Sequence, residues 1–213
     1  MLRLNDELLD RFAPSQQGIV LRVGIPNDFS VAMLPMALSR FAQAEPNVVL
    51  DLQSELSHNL LEGLKAGKFD MIVAMTPERV SDNAVKTWNE RLVWVAPPNL
   101  KPGGESVLPL VCYPEGCVYR ARILKRLAEE GLNWRIVMTS PSFTSVTDAV
   151  RSGLGAAAFA ETTAPADLRV ERRKPWPDLG MVSVGLFRHP DGLNGAGQRL
   201  ADNLLDSLDR IEQ

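Results

Sequence analysis

The sequence predicts an α/β fold made of two lobes with a cleft between them. Strand-like apolar runs alternate with helical patterns along most of the chain, which is typical of parallel sheets covered by helices. Two such sets are separated by a Pro/Gly-rich segment, NLKPGGES (99–106), and ETTAPADL (161–168) is a second linker. The 213 residues, 45% of them hydrophobic, are enough to bury the core of such a domain.

The first lobe begins with an alternating strand at 19–25, followed by a helix predicted from Ser30 to Ala44. NVVLDLQSE (47–55) alternates apolar and polar residues as a strand does, and Ser57 is a plausible N-cap for a helix that Gly67 closes. The short apolar run FDMIVAM (69–75) indicates a buried parallel strand. KTWNERLVWVAP then predicts further strands, and an amphipathic pattern at 2–12 predicts the tail of an earlier helix.

The second lobe repeats the alternation on a smaller scale. Strands are predicted at 109–113, 134–140 and 155–160. Helices are predicted at 117–130 and after Ser142 or Thr144, either of which can act as the cap. A strand at 181–188 and an amphipathic helix at 196–212 then complete the chain.

Charge and composition exclude several classes of function. The formal net charge is −3, from 23 basic and 26 acidic residues spread along the chain, so no basic stripe suits a nucleic-acid backbone. No apolar run approaches the roughly 18 residues of a membrane span, and MLRLNDELLDRF is too charged for a signal peptide, so we expect a cytoplasmic protein without membrane contact.

The cysteines and histidines predict neither a disulfide nor a metal site. Cys112 and Cys117 are the only cysteines, and a structural disulfide is not expected in a reducing compartment. The only histidines, His58 and His189, lie far apart, and no CxxC pair exists. We therefore expect no metal and no cofactor.

Several motifs, taken in order, resemble the effector-binding domain of LysR-type transcriptional regulators. The first lobe matches from LRVGIPNDFS through LP, RF and the L-x-x-G-x-x-D element of LKAGKFD. The second lobe matches at PEGCVYR, EEGLNWRIV and AVRSGLGAAAF. MLRLNDELLDRF resembles the end of the family's dimerising linker helix. The resemblance covers roughly residues 1–210 and lacks the family's N-terminal winged helix-turn-helix.

The resemblance implies a type II periplasmic-binding-protein fold, in which two Rossmann-like lobes are joined by two crossover linkers. It divides the chain into the end of the linker helix (1–16), lobe I (17–98 and 166–213) and lobe II (99–165). A small inducer, commonly a carboxylate or an amino-acid-like metabolite, is expected between the lobes, and no catalysis is expected. The resemblance also implies a homodimer or tetramer, with DNA binding supplied by the winged helix-turn-helix, so we expect a truncated regulator.

Candidate ligand-binding residues lie where helices start after strands, because helix N-termini converge there and can hold an anion. Ser30 and Ser57 can hold a carboxylate or can simply cap their helices. The full set of candidates is Asp28, Phe29, Ser30, Glu55, Ser57, Thr76, Gly116, Cys117, Tyr119, Phe143 and Thr144.

Other interpretations stay open for several of these residues and for the whole chain. Asp28 can cap a turn or bind the amino group of a zwitterion, and Phe143 can serve as a hydrophobic staple. Cys117 at a helix N-terminus could act as a redox sensor, which is less favoured because Cys112 is a poorly placed partner. A free-standing solute-binding protein is the alternative to a regulator, and an enzyme is a third reading that no convergent catalytic set supports.

Overall fold

The computed structural model describes residues 18–32, 34–76, 84–103 and 106–209. The helix predicted over 2–12 lies outside these ranges. Nine strands are described: β1 (Ile19–Ile25), β2 (Val48–Ser54), β3 (Met71–Thr76), β4 (Ala84–Val95), β5 (Leu108–Cys112), β6 (Trp134–Thr139), β7 (Ala157–Ala160), β8 (Val170–Glu171) and β9 (Met181–Arg188). Six helices are described: α1 (Asn27–Ala32), α2 (Pro35–Ala44), α3 (Ser57–Lys65), α4 (Val118–Glu129), α5 (Phe143–Arg151) and α6 (Gly195–Asp209).

The strands form a larger sheet, ordered β2-β1-β3-β9-β4-β7, and a two-stranded sheet of β5 and β6. β1 runs parallel to β2 and β3, and β9 is antiparallel to β3 and β4. A parallel bridge from Leu110 to Ala156 connects β5 to the segment that leads into β7. Parallel strands joined through helices make up the nucleus of each lobe, as the alternation predicts.

One long strand, β4, connects the two lobes. Its first part pairs with β9, and from Leu92 onward it pairs with β7 and β8. The prediction of several strands in KTWNERLVWVAP was therefore wrong, because a single continuous strand serves both lobes. β4 pairs with β9 up to Arg91 and with β7 from Leu92 onward. The lobe boundaries expected after residues 98 and 165 stay predictions.

The single helix predicted from Ser30 to Ala44 was also wrong. The structure has a short helix, α1, and a second helix, α2, that begins at Pro35 with Leu34 as its N-cap. Proline has no N–H to donate to a preceding turn and is best tolerated in the first turn of a helix. The break is placed by Pro35, while the apolar side chains of Leu34 and Phe41 remain in one core.

The central strands of the first lobe, β3 and most of β9, are buried on both faces. Every residue of β3 is buried, which explains the continuous apolar run that predicted it. Leu60 and Leu64 of α3 cover one face together with Phe69, while the other face joins the main core. Gly24 allows this close packing, since a Cβ there would lie 2.6 Å from Leu60 Cδ2. Among the described residues, no helix is long and apolar enough to cross a membrane.

Candidate functional site

A cleft between the lobes collects the loops that follow four parallel strands. The loops after β1 and β2 come from the first lobe, and those after β5 and β6 come from the second. Open α/β sheets bind ligands at this edge, beyond the carboxyl ends of the strands. The residues that line the centre of the cleft are Pro26, Asn27, Asp28, Glu55, Leu56, Ser57, Met75, Tyr113, Cys117, Val118 and Tyr119.

The centre of the cleft is narrow, and two wider openings flank it. The central cavity has a volume of about 30 Å³, room for one or two water molecules. An opening of about 470 Å³ lies beside His58, Gly116 and Arg122, and another of about 650 Å³ lies beside Asn59 and Glu115. A ligand of metabolite size fits the openings as they stand and reaches the centre only if the lobes separate.

Asp28 joins the two lobes across the centre of the cleft. Its Oδ2 accepts a hydrogen bond from the Tyr119 hydroxyl of α4 and another, at 3.0 Å, from Thr163 Oγ1. All three residues are buried. Burial raises the pKa of the Asp28 carboxyl, and the two hydroxyl donors oppose that shift. The prediction that Asp28 caps a turn misses this contact, because its partners lie 91 and 135 residues away in sequence.

A second hydrogen bond crosses the cleft beside Asp28. Asn27 Nδ2 donates to the Pro141 carbonyl oxygen at 3.0 Å. Asn27 and Asp28 are the first two residues of α1, so this one short helix contacts the second lobe at two points. A change in the position of the second lobe relative to the first would therefore have to break or move these contacts of α1.

Tyr113 presents a polar atom in the cleft that the sequence argument did not identify. The residue is only 5% exposed, and its hydroxyl is buried without a hydrogen-bond partner among the described residues. Burial, and then the nearby Asp28, raise the pKa of Tyr113, so the phenol stays protonated and can donate. Its position at the carboxyl end of β5 was the available sequence signal.

Two helix N-termini also face the cleft without a side-chain cap. The N-cap residues are Leu56 for α3 and Cys117 for α4, and neither side chain makes a capping hydrogen bond. The first N–H groups of a helix carry partial positive charge and favour an acceptor or an anion. The carboxyl groups of Asp28 and Glu55 have the opposite preference, and no basic residue is among those lining the centre.

The predicted capping roles of Ser57 and Ser30 were wrong. Ser57 is the first residue of α3, and its Oγ accepts a hydrogen bond from the Met75 N–H at 2.9 Å. Ser30 lies inside α1, where its hydroxyl donates to the Asn27 carbonyl oxygen at 2.8 Å and accepts from Ser54 Oγ at 3.1 Å. Both hydroxyls join elements of the first lobe, whereas Ser142 does cap α5, at 3.3 Å to the Ser145 N–H.

The two cysteine thiols are free and buried. Burial raises the pKa of Cys117 to about 11, and that of Cys112 also to about 11, so both thiols stay protonated near neutral pH. The N-terminus of α4 does not lower the pKa of Cys117 below its usual value, which was the basis for redox sensing. In the described part of the chain, no three His, Cys, Asp or Glu residues are grouped to hold a metal ion.

The structure brings together some of the predicted site residues and leaves others apart. Asp28, Glu55, Ser57, Gly116, Cys117 and Tyr119 line the cleft or its openings. Phe29 is fully buried in the core, and Thr76 is buried with its Oγ1 3.5 Å from the Ser183 carbonyl oxygen. Phe143 packs edge-on against Phe159, at 5.5 Å between ring centres, and Thr144 is exposed on α5. These four residues, like Ser30, line none of the three cavities.

Comparison with known families decides what kind of domain this is. Residues 15–209 match the family described as the LysR substrate binding domain. The chain belongs to this family. It is 25% identical over 201 residues to the transcriptional regulator DgdR of Burkholderia cepacia, covering 92% of this chain and 68% of that protein. The chain spans about two thirds or less of the length of the curated relatives it matches.

Solved structures of LysR regulatory domains share the fold. The regulatory domain of CcmR from Synechocystis, described in complex with 2-PG, superposes with a TM-score of 0.67 at 15% identity, covering 88% of this chain and 96% of that one. The regulatory domain of MexT, a transcriptional activator in Pseudomonas aeruginosa, gives 0.67 at 17% identity, covering 88% and 99%. The predicted two-lobed α/β fold of the periplasmic-binding-protein type II class is confirmed, and the chain is the regulatory, effector-binding domain of a LysR-type factor. The relatives are transcriptional regulators rather than enzymes.

Proposed function

We propose that this LysR domain binds a small inducer, a carboxylate or an amino-acid-like metabolite, in the cleft between its lobes. In a full-length regulator, binding would change the relative position of the lobes and so alter the grip of a winged helix-turn-helix on DNA. Asn27 and Asp28 form hydrogen bonds to the second lobe, so a ligand that enters between the lobes would directly change the position of one lobe relative to the other.

The unpartnered hydroxyl of Tyr113 carries this proposal. A buried hydroxyl without a partner destabilises the folded state by about 1–3 kcal/mol, so native structures seldom keep one without a reason. An acceptor oxygen of a ligand would satisfy it. The uncapped N-termini of α3 and α4 favour the same oxygen, while Asp28 and Glu55 favour a ligand ammonium group, so a zwitterion matches both sets.

The test is a thermal-shift screen of small carboxylates, amino acids and simple amines, followed by calorimetry on each compound that raises the melting temperature. A ligand at 100 times its dissociation constant adds about 2.7 kcal/mol of stability, which such a screen detects. We expect Tyr113→Phe to weaken binding at least about tenfold, since it removes one buried donor. Thr144→Val removes a hydroxyl outside the three cavities and should leave affinity unchanged.

Ser57→Ala is a poor test of this site. Its Oγ accepts from the Met75 N–H, so alanine would leave a buried backbone donor unsatisfied and would lower stability whether or not a ligand binds. Equal affinity of the parent and Tyr113→Phe for every hit would remove Tyr113 from the site. A screen without hits at millimolar concentration would contradict inducer binding by this domain.

We further propose that the domain forms a homodimer, as a step to a dimer or tetramer of the whole regulator in the cytoplasm. β2 is an edge strand of the larger sheet, and Val49 and Leu52 on it are exposed. Exposed apolar side chains on an edge strand favour association with another chain. Sedimentation at tens of micromolar should give about twice the mass of the 23.4 kDa chain, and a single monomeric species would contradict the proposal.

A further inference from the structure

A basic groove lies beside β8 and the end of β4, away from the cleft. We define the basic groove as Lys101, Arg169, Val170, Glu171, Arg172, Arg173, Lys174, Pro175 and Trp176, which enclose about 390 Å³. It shares no residue with the three cavities of the cleft. A volume of this size is typical of small-molecule sites.

Positive charge is concentrated in the basic groove although the chain as a whole has a negative net charge. Its lining residues include five cationic side chains and one carboxylate, a local charge of +4. The whole chain has a formal charge of −3, so the remaining residues carry −7. Cations held this close repel one another and are easiest to maintain where an anion offsets the repulsion.

Among the residues that the structure describes, carboxylates hold two of the five cations in place and leave the other three unpaired. Arg169 Nε lies 2.7 Å from Glu171 Oε1, and Arg172 Nε donates to Glu161 Oε1 at 2.9 Å. Lys101, Arg173 and Lys174 form no ion pair with any residue that the structure describes. The groove therefore has three positive charges available to a ligand, beside two guanidinium groups in fixed orientation.

The backbone that carries these cations is anchored to the core. Val170 pairs with Val95 of β4. Trp176 is 5% exposed, and its ring lies 5.2 Å from that of Trp94, whose Nε1 donates to the Pro177 carbonyl oxygen at 2.8 Å. Because the framework is already ordered, an anion would not have to order it on binding.

We propose that the basic groove is a second ligand site of this domain, for a small molecule that bears a diphosphate or a comparable multivalent phosphate group. The unpaired guanidinium of Arg173 can bind phosphate oxygens through two parallel hydrogen bonds, and its charge together with those of Lys101 and Lys174 matches the charge of a diphosphate. Duplex DNA fits less well, since it needs cations spread along several phosphates and would meet the −7 charge of the rest of the chain.

The test is calorimetric titration of the 213-residue chain with sodium pyrophosphate at constant ionic strength. The parent should bind one equivalent in a saturable way. Arg173→Gln with Lys174→Gln should weaken binding at least about tenfold, because it removes two of the three free charges. Lys65→Gln with Arg135→Gln removes two exposed cations elsewhere and should change affinity less than about twofold, which is what general screening allows.

Three results would overturn the proposal. Pyrophosphate that fails to saturate below 5 mM (roughly 3 kcal/mol of binding) would remove the site. An equal loss of affinity in both double variants would mean that pyrophosphate is attracted only by the charge of the chain and has no specific site. Tighter binding of a labelled 20-base-pair duplex at about 150 mM salt, lost in the groove variant alone, would assign the surface to DNA instead.

Discussion

The cleft and the basic groove both gather polar side chains, but they differ in burial and in pairing. In the centre of the cleft, Asp28, Tyr119 and Thr163 are buried and bonded to one another, and Tyr113 contributes one unpaired hydroxyl. In the groove, the free cations of Arg173 and Lys174 are exposed to water. A buried group supports the fold and the ligand at once, whereas an exposed cation can serve a ligand at almost no cost to the fold.

The largest expected effect of a single substitution is that of Asp28→Ala. Alanine removes the acceptor of the Tyr119 hydroxyl and leaves a cavity between the lobes, so we expect a loss of about 2–4 kcal/mol in the free energy of unfolding. Urea denaturation of the parent and the variant measures it. Asp206→Ala, at an exposed position of α6, should change the free energy little. A loss below about 1 kcal/mol for Asp28→Ala would contradict the role of this carboxyl in joining the lobes.

The second prediction concerns pH. The pKa of Asp28 is raised by burial in the folded state above its ordinary value of 3.8, so the folded protein binds a proton that the unfolded chain has already released. This group therefore lowers stability as the pH rises from about 3.8 to its folded pKa. Glu45 and Asp167, whose pKa values are lowered by Arg199 and Arg151, act in the opposite direction, and the curve for the parent alone mixes the two.

The variant Asp28→Asn separates the pH effect of Asp28 from the opposite effects of Glu45 and Asp167. The asparagine amide does not titrate, so the stability of the variant relative to the parent should increase as the pH rises from about 4. Denaturation curves of the two proteins at a series of pH values measure this difference. A constant difference would mean that the folded pKa of Asp28 is not raised.

The third prediction is that Tyr113→Phe separates stability from binding. Removing a buried hydroxyl without a partner should leave the free protein equally stable, or more stable by about 1 kcal/mol, while ligand affinity falls. Thermal unfolding with and without the screened ligand tests both halves. A clear loss of stability in the free protein would show that the hydroxyl has a partner in solution.

The smallest effect is expected in the basic groove. Arg173→Gln with Lys174→Gln should leave the free energy of unfolding within about 0.5 kcal/mol of the parent, or raise it slightly, because it relieves repulsion between like charges. Urea denaturation at low salt is the most sensitive measurement. A loss of more than about 1 kcal/mol would mean that these side chains support the fold, as the buried groups of the cleft do, and would contradict the comparison.

The pattern of apolar and polar residues predicted those strands whose two ends it marks clearly. The strand predicted at 181–188 has the same bounds as β9, and the one at 19–25 the same bounds as β1, because alternation or continuous burial marks both ends. The predictions failed where two patterns met without a break. The apolar register runs through Pro35, so two helices were taken for one, and β4 belongs to both lobes, so one strand was taken for several.

For the candidate site residues, too, the sequence predicted positions in the fold but not contacts between distant side chains. The rule that ligands bind beyond the carboxyl ends of strands placed Asp28, Glu55 and Cys117 correctly in the cleft. It did not reveal that Ser57 bonds to the Met75 N–H, or that Asp28 bonds to Tyr119, since such contacts depend on which side chains the packed lobes bring together. The ligand-binding roles of all these residues stay predictions.

Periodicity and motifs that are local in the chain were enough to predict the two-lobed α/β architecture, most of the strands and the LysR resemblance. The packed chain was needed to show that α1 contacts the second lobe through Asn27 and Asp28, and that Lys101 joins residues 169–174 in one groove. It also showed that the Tyr113 hydroxyl is buried without a partner among the described residues. Each of these depends on atoms from segments far apart in sequence. Burial and hydrogen bonding between such segments are set only when the whole chain has packed.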